Sequence, residues 1–199
     1  MEKKMQRRNF MLRTISTLAV GGLALSGCTL TPHKPDTGAA NPSKRQSIDA
    51  SVDGTMSRLY STVKGSRELV SKARGVLVFP SVLQAGFIVG AQYGEGALQV
   101  GGSSVGYYST LSGSVGLQAG AQSKAIIFLF MTQPALDSFR NSDGWAVGGD
   151  ASVALVKVGV NGAIDTNTAS APVEVIVLTN AGLMGDLSLA GTKVTRLKI

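Results

Sequence analysis

The chain has 199 residues, 44% hydrophobic and 16% charged, which bounds it to about one globular domain with a sizeable core. One histidine and one cysteine rule out Ser-His-Asp or Cys-His catalysis and zinc or copper sites built from those residues. The net charge of +7 is misleading, because residues 1–27 hold five bases and one acid and the remainder carries 14 against 11, or +3, which removes most of the case for nucleic acid.

Those first residues read as an export signal. Lys3, Lys4, Arg7, Arg8 and Arg13 precede an apolar run from Ile15 to Leu25, followed by small residues before Cys28. The run is well short of the ~20 residues a spanning helix needs. Leu25-Ser26-Gly27-Cys28 resembles the lipobox of bacterial lipoproteins. That resemblance implies cleavage before Cys28, acylation of its sulfur and acyl chains at the new N-terminus. Arg7-Arg8-Asn9-Phe10-Met11-Leu12 also resembles a twin-arginine export motif, leaving the export route open. Thr29 stands where an aspartate commonly retains lipoproteins at the inner membrane, so the expected location is the outer membrane, facing the periplasm or the surface.

Residues 28–47 read as a flexible tether, with Pro32, Pro35, Gly38 and Pro42 among polar residues and the single histidine, His33. Residues 48–199 are expected to form one domain. In 48–73 the apolar positions Ile48, Val52, Met56, Leu59 and Val63 recur every three or four residues, as on one face of a helix. Leu69, Val70 and Ala73 resume the stripe after a break at Gly65-Ser66. Residues 34–74 hold eight bases and four acids, whereas 75–199 hold six and seven, so the positive excess belongs to the tether and helices.

From Gly75 the pattern changes to strands. Gly75-Val76-Leu77-Val78-Phe79-Pro80 is a β-branched run that the proline should stop. Ten of the 35 residues in 86–120 are glycine, and turns are expected at Gly94-Glu95-Gly96, at Gly101-Gly102 and at Ser112-Gly113. Residues 124–132 are the best candidate for a central strand, 134–139 for a short helix, and 173–178 for a second buried strand. Hairpins are expected in 147–160 and in 183–197, the latter turning at Ala190-Gly191. The fold class is therefore α+β: an N-terminal amphipathic helical region packed on a curved, mostly antiparallel, glycine-rich sheet or barrel.

No motif nominates an enzyme. The carboxylates Glu95, Asp137, Asp143, Asp150, Asp165, Glu174 and Asp186 show no paired spacing, and the glycine runs lack the lysine and strand-to-helix context of a phosphate loop. No cofactor or metal is implied.

Several blocks resemble the SYLF domain family in order. Ala73-Arg74-Gly75-Val76-Leu77-Val78-Phe79-Pro80, Gly86-Phe87-Ile88-Val89-Gly90 and Tyr93-Gly94-Glu95-Gly96 resemble its start. Ser114-Val115-Gly116-Leu117-Gln118-Ala119-Gly120 resembles its middle block, and Thr179-Asn180-Ala181-Gly182-Leu183-Met184-Gly185-Asp186-Leu187-Ser188-Leu189-Ala190-Gly191 its ending. The resemblance implies lipid binding, since eukaryotic members bind phosphoinositides through an N-terminal amphipathic helix and basic residues. Some members also bind actin, which an exported lipoprotein does not meet in its own cell. The expected ligand is an anionic phospholipid head group, held by Arg58, Lys64, Arg67, Lys72 and Arg74, with Lys193, Arg196 and Lys198 as a second patch. The alternative is a structural lipoprotein that binds an envelope or host protein through a sheet groove lined by Tyr93, Tyr107, Tyr108 and Trp145.

Overall fold

The computed structural model describes residues 41–86, 89–115, 122–156, 171–179 and 191–199, with Ile164, Gly182, Leu183 and Leu189. The signal segment, Cys28 and residues 29–40 of the expected tether lie outside the described residues. So do 116–121, 157–163 and 184–188.

Helix α1 (Pro42–Thr62) starts six residues earlier than the apolar stripe does. The reason is a cap. The Asn41 carboxamide oxygen accepts from the Lys44 backbone N–H at 3.2 Å, and Pro42 fits the first turn, where its missing N–H costs nothing. The last residues assigned to the tether are thus helical. The expected break falls at Gly65, whose φ of 83° suits glycine, and α2 (Ser66–Lys72) follows it. Ser66 is buried at the bend, its hydroxyl donating to the Val63 carbonyl at 2.7 Å.

The strands are β1 (Gly75–Gly86), β2 (Val89–Val100), β3 (Ser103–Val115), β4 (Gln122–Phe130), β5 (Trp145–Ala146), β6 (Val153–Leu155), β7 (Val173–Thr179), β8 (Gly182–Leu183) and β9 (Lys193–Arg196). Helix α3 (Gln133–Asn141) separates β4 from β5, with Thr132 as its cap. The sheet order is β5-β9-β3-β2-β1-β4-β7-β6, and β8 pairs with β7. All ladders are antiparallel except β6 with β7, and the sheet curls strongly.

Three turn expectations are corrected by this topology. Pro80 does not stop β1. It sits in a bulge where both ladders of β1 slip, between Val78 and Ser81 toward β2 and between Phe79 and Val82 toward β4. A bulge is one of the places where a strand tolerates a residue without an N–H. Gly94-Glu95-Gly96 and Ser112-Gly113 are strand interior, within β2 and β3. Gly94 and Gly96 exist for close approach. A Cβ on Gly96 would lie 1.9 Å from the Val78 carbonyl oxygen, and one on Gly94 would lie 2.8 Å from that of Ser81. The turn at Gly101-Gly102 is present, with φ of 59° and 82° as a tight two-residue hairpin requires.

The closing hairpins are also corrected. β9 pairs with β3 and β5, and β6, within the expected 147–160 hairpin, joins β7 as a parallel strand; residues 157–160 and 184–188 of the two expected hairpins lie outside the described residues.

The central strands of the sheet are buried on both faces. On one, Ile48, Val52, Met56, Leu59 and Val63 of the first helical region pack with Leu69 against Val76, Val78, Ala97, Ile127, Leu129, Ile176 and Leu178. On the other, Leu136 and Phe139 of α3 join Trp145, Phe128, Phe130 and Tyr108. Phe139 stands 4.9 Å from Phe130 and 5.5 Å from Trp145, ring centre to ring centre. β4 and β7, buried on both sides, were accordingly the clearest strands in the sequence. Among the described residues, no helix is long and apolar enough to cross a membrane.

Glu174 interrupts the β7 run. It is 2% exposed, and neither carboxylate oxygen has a hydrogen-bond partner among the described residues; burial raises its pKa above the ordinary 4.5. A proton is therefore taken up on folding, and stability falls as pH rises from about 4.5 through the raised pKa. Glu174→Gln is expected to flatten that fall, measured as the urea midpoint from pH 4.5 to 8 against the unsubstituted protein. Gly96→Ala is expected to cost about 3 kcal/mol in the same assay, through overpacking against β1. Gly113→Ala, with open space at its Cβ, should change it by less than about 0.5 kcal/mol.

Candidate functional site

The end of α1, α2 and the β2–β3 turn enclose a cleft of about 260 Å³. Met56 and Tyr60 form one wall, Val70, Ser71 and Arg74 another, and Gln99 with Gly101 and Gly102 the third. The Arg67 guanidinium lies over the Tyr60 ring, 4.4 Å from its centre. Burial raises the Tyr60 phenol pKa, and the Arg67 charge partly offsets it, so Tyr60 is a neutral hydroxyl at physiological pH. The cleft lining thus combines a phenol, an amide and the Arg74 guanidinium, groups that suit an anion, and Arg67 stacks on the ring of that phenol.

Of the first expected patch, Arg74 lines this cleft. Arg58, Lys64, Arg67, Lys72 and Arg74 are all exposed and flank the bend between α1 and α2. Lys72 is shared with Glu68, its Nζ 2.8 Å from the carboxylate, which holds the Glu68 pKa below its ordinary value. Arg58, Lys64, Arg67 and Arg74 enter no ion pair with a described residue.

The second patch does not form as one surface. Lys193 and Arg196 lie on β9, where Lys193 faces Leu111 and Arg196 faces Tyr108. Strand alternation therefore sends them to opposite faces of the sheet. Lys198 is exposed in the tail beyond β9. The tail is fixed at the other end of α1, where Arg45 donates to the Ile199 oxygen, from Nε at 2.8 Å and also from Nη2. Arg45 and Arg58 are 13 residues apart on one helix, about 20 Å. The eight bases are thus not one site.

Polar contacts hold α1 down along the same face. Glu95 takes the Lys44 ammonium at 2.9 Å and the Tyr93 hydroxyl at 2.8 Å. Asp49 accepts from Ser104 at 2.7 Å and from Tyr107 at 2.8 Å, and Arg45 stands 5.8 Å from the centre of the Tyr107 ring. Desolvation first, then the hydrogen bond to Glu95 and its charge, pushes the Tyr93 phenol up to about 12. Sequence reading missed Arg45, Asp49 and Tyr60, because nothing in their spacing shows which strand residues they meet.

The four aromatics of the alternative groove do not share a surface. Tyr108 and Trp145 are buried in the core on the α3 side, Tyr107 is half-buried beside α1, and Tyr93 is exposed on the α1 side. A second cleft, about 500 Å³, lies between the Val147–Val153 stretch, Leu155 and Leu189. Its acid, Asp150, is engaged by the Ala146 N–H at 2.7 Å. Among the described residues, no three His, Cys, Asp or Glu side chains gather as a metal site would require.

Residues 111–198, from within β3 to the penultimate residue, match the family model Ysc84, described as Las17-binding protein actin regulator. The match agrees with the SYLF resemblance of the sequence over that stretch. The Ser114–Gly120 and Thr179–Gly191 blocks fall inside the SYLF match, and the three earlier blocks precede it. The basic bend of α1 and α2 also lies ahead of it. No curated protein matches the chain.

Asp49→Ala is expected to cost about 1–3 kcal/mol in urea unfolding, because two hydroxyls lose a charged acceptor. It should also bring the Tyr107 phenol, now raised by burial and by Asp49, closer to its ordinary pKa of 10.0, read by ultraviolet titration.

Proposed function

We propose that this chain is a lipoprotein, anchored by an acylated Cys28, whose SYLF-type domain binds anionic phospholipid head groups at the bend between α1 and α2. The observation that carries this reading is the concentration of exposed bases on the end of α1, the bend and α2: Arg58, Lys64, Arg67 and Arg74, free of ion pairs with described residues, with Arg74 in a cleft also lined by Tyr60 and Gln99.

The mode of binding follows from what α1 has left to offer. Its apolar stripe is buried against the sheet, and its outward side chains include Ser47, Ser51, Ser57, Arg58 and Ser61. A docked α1 therefore has no apolar face to insert, and the attraction at this end is electrostatic. Arg67 and Arg74 supply the planar donors that suit phosphate oxygens, and Arg58, Lys64 and Lys72 add charge around them. The anchor keeps the domain beside the bilayer, where such a patch adds head-group contacts of its own. The location that accords with Cys28 and Thr29 is the outer membrane of a bacterial envelope.

Residues 29–199, lacking the acyl group, are expected to co-sediment with vesicles containing anionic phospholipid and not with neutral ones, and to be released by salt. At ~1 kcal/mol per base, replacing Arg58, Lys64, Arg67 and Arg74 by glutamine lowers that affinity by roughly a factor of 1,000. Unchanged binding by the four-fold variant, with an unaltered unfolding midpoint, would refute the head-group site.

A further inference from the structure

Three exposed apolar side chains stand in one row across the sheet, on the face that carries α1. Leu83 of β1 is opposite Tyr93 of β2, and Tyr93 is opposite Leu111 of β3. They are 57%, 48% and 57% exposed, where most large apolar side chains of the described residues are buried. The ladders extend the row to Ser123 of β4 at one end and to Lys193 of β9 at the other. Paired residues share a face, so all five project the same way. α1 does not cover them. Its first turn ends over β2 at Glu95, held by Lys44, and the row begins two residues further along that strand.

We propose that the Leu83–Tyr93–Leu111 row is a bilayer-docking surface, seated among the head groups and upper acyl chains, with Lys193 at its end meeting a lipid phosphate. The inference rests on the reading of Cys28 as the anchor, and adds an apolar contact to the electrostatic one. Three observations favour a lipid surface over a protein partner. The row offers on the order of 300 Å², well below the ~800 Å² per partner of a standard protein interface. It consists of leucines, a tyrosine and a lysine, the residues that sit at a water–hydrocarbon boundary with polar tips outward. The row is also within reach of the anchor. Asn41, the cap of α1, is 13 residues after Cys28, and that stretch spans at most about 45 Å when extended. The N-terminal turn of α1 lies beside Tyr93 through the shared Glu95, so an acylated Cys28 tethers this end of the sheet to the bilayer.

The test uses the full mature chain reconstituted in vesicles of phosphatidylethanolamine and phosphatidylglycerol. With the Cys28 thiol acylated, Leu111→Cys and Leu83→Cys each present one reactive thiol for an environment-sensitive fluorophore. Ser138→Cys on the exposed side of α3 serves as control. The expected result is a blue shift and loss of most fluorescence to bromine-labelled acyl chains at positions 83 and 111, with neither at 138. Equal, water-like signals at all three positions would overturn the proposal. So would cross-linking of position 111 between two copies, or a blue shift already present in detergent-free chain without lipid, since another protein surface or the tether would then cover the row. The two readings fail separately. Loss of salt-sensitive binding in the four-base variant with the labels still quenched concerns the bend, and unquenched labels on a chain that still binds anionic vesicles by charge concern the row.

Discussion

The burial of the Ile48–Val52–Met56–Leu59–Val63 stripe against the sheet is the constraint on which the rest of this molecule depends. β1, β4 and β7 carry apolar side chains on both faces, so a sheet left bare on the helix side would expose a continuous apolar surface. α1 and α2 cover one side, and α3 with Trp145 fills the other. This arrangement decides what the surface can do. An amphipathic helix whose apolar face is committed to the core has only its polar back to present, and the bases that flank its C-terminal end become its useful chemistry. The same helix is too short at its N-terminal end to cover the whole sheet, which leaves Leu83, Tyr93 and Leu111 in water.

The glycines serve contact more than flexibility. β1 carries a bulge at Phe79-Pro80, and β2 crosses it with Gly94 and Gly96, where a methyl group would strike the carbonyl oxygens of Ser81 and Val78. A bulge sharpens the local twist, and the sheet is strongly curled, with the Phe128–Phe130–Phe139–Trp145 cluster packed on one face. Glycine identity there is a matter of volume. At Gly101 and Gly102 it is a matter of backbone angle, and in sequence the two cases look alike.

That ambiguity explains which expectations held. The helix stripe, the break at Gly65, the strands around Ile126–Phe130 and Val173–Leu178, and the α3 helix follow from local periodicity and caps, and they are present. Turns assigned to Gly94-Glu95-Gly96 and Ser112-Gly113 were misplaced because the partner strands that require glycine are remote in sequence. The cap at Asn41-Pro42 was legible, but no apolar residue in 43–47 drew attention to it. β9 was expected to pair with its sequence neighbour, whereas it lies between β3 and β5, some 80 and 50 residues earlier.

The sequence by itself determined the residue inventory, the lipobox-like Cys28, the concentration of positive charge before residue 75, the α+β class and the SYLF resemblance, because each is written in composition or in short periodic runs. Tertiary structure alone decided which bases act together. Arg74 lines one cleft with Tyr60, on whose ring Arg67 stacks, because α1, α2 and a hairpin turn converge there, whereas Lys193 and Arg196, three residues apart on a strand of period two, point to opposite faces. It also decided that the stripe of α1 is core and that a row made by three separate strands is surface, since the faces a segment buries depend on what the rest of the chain packs against it.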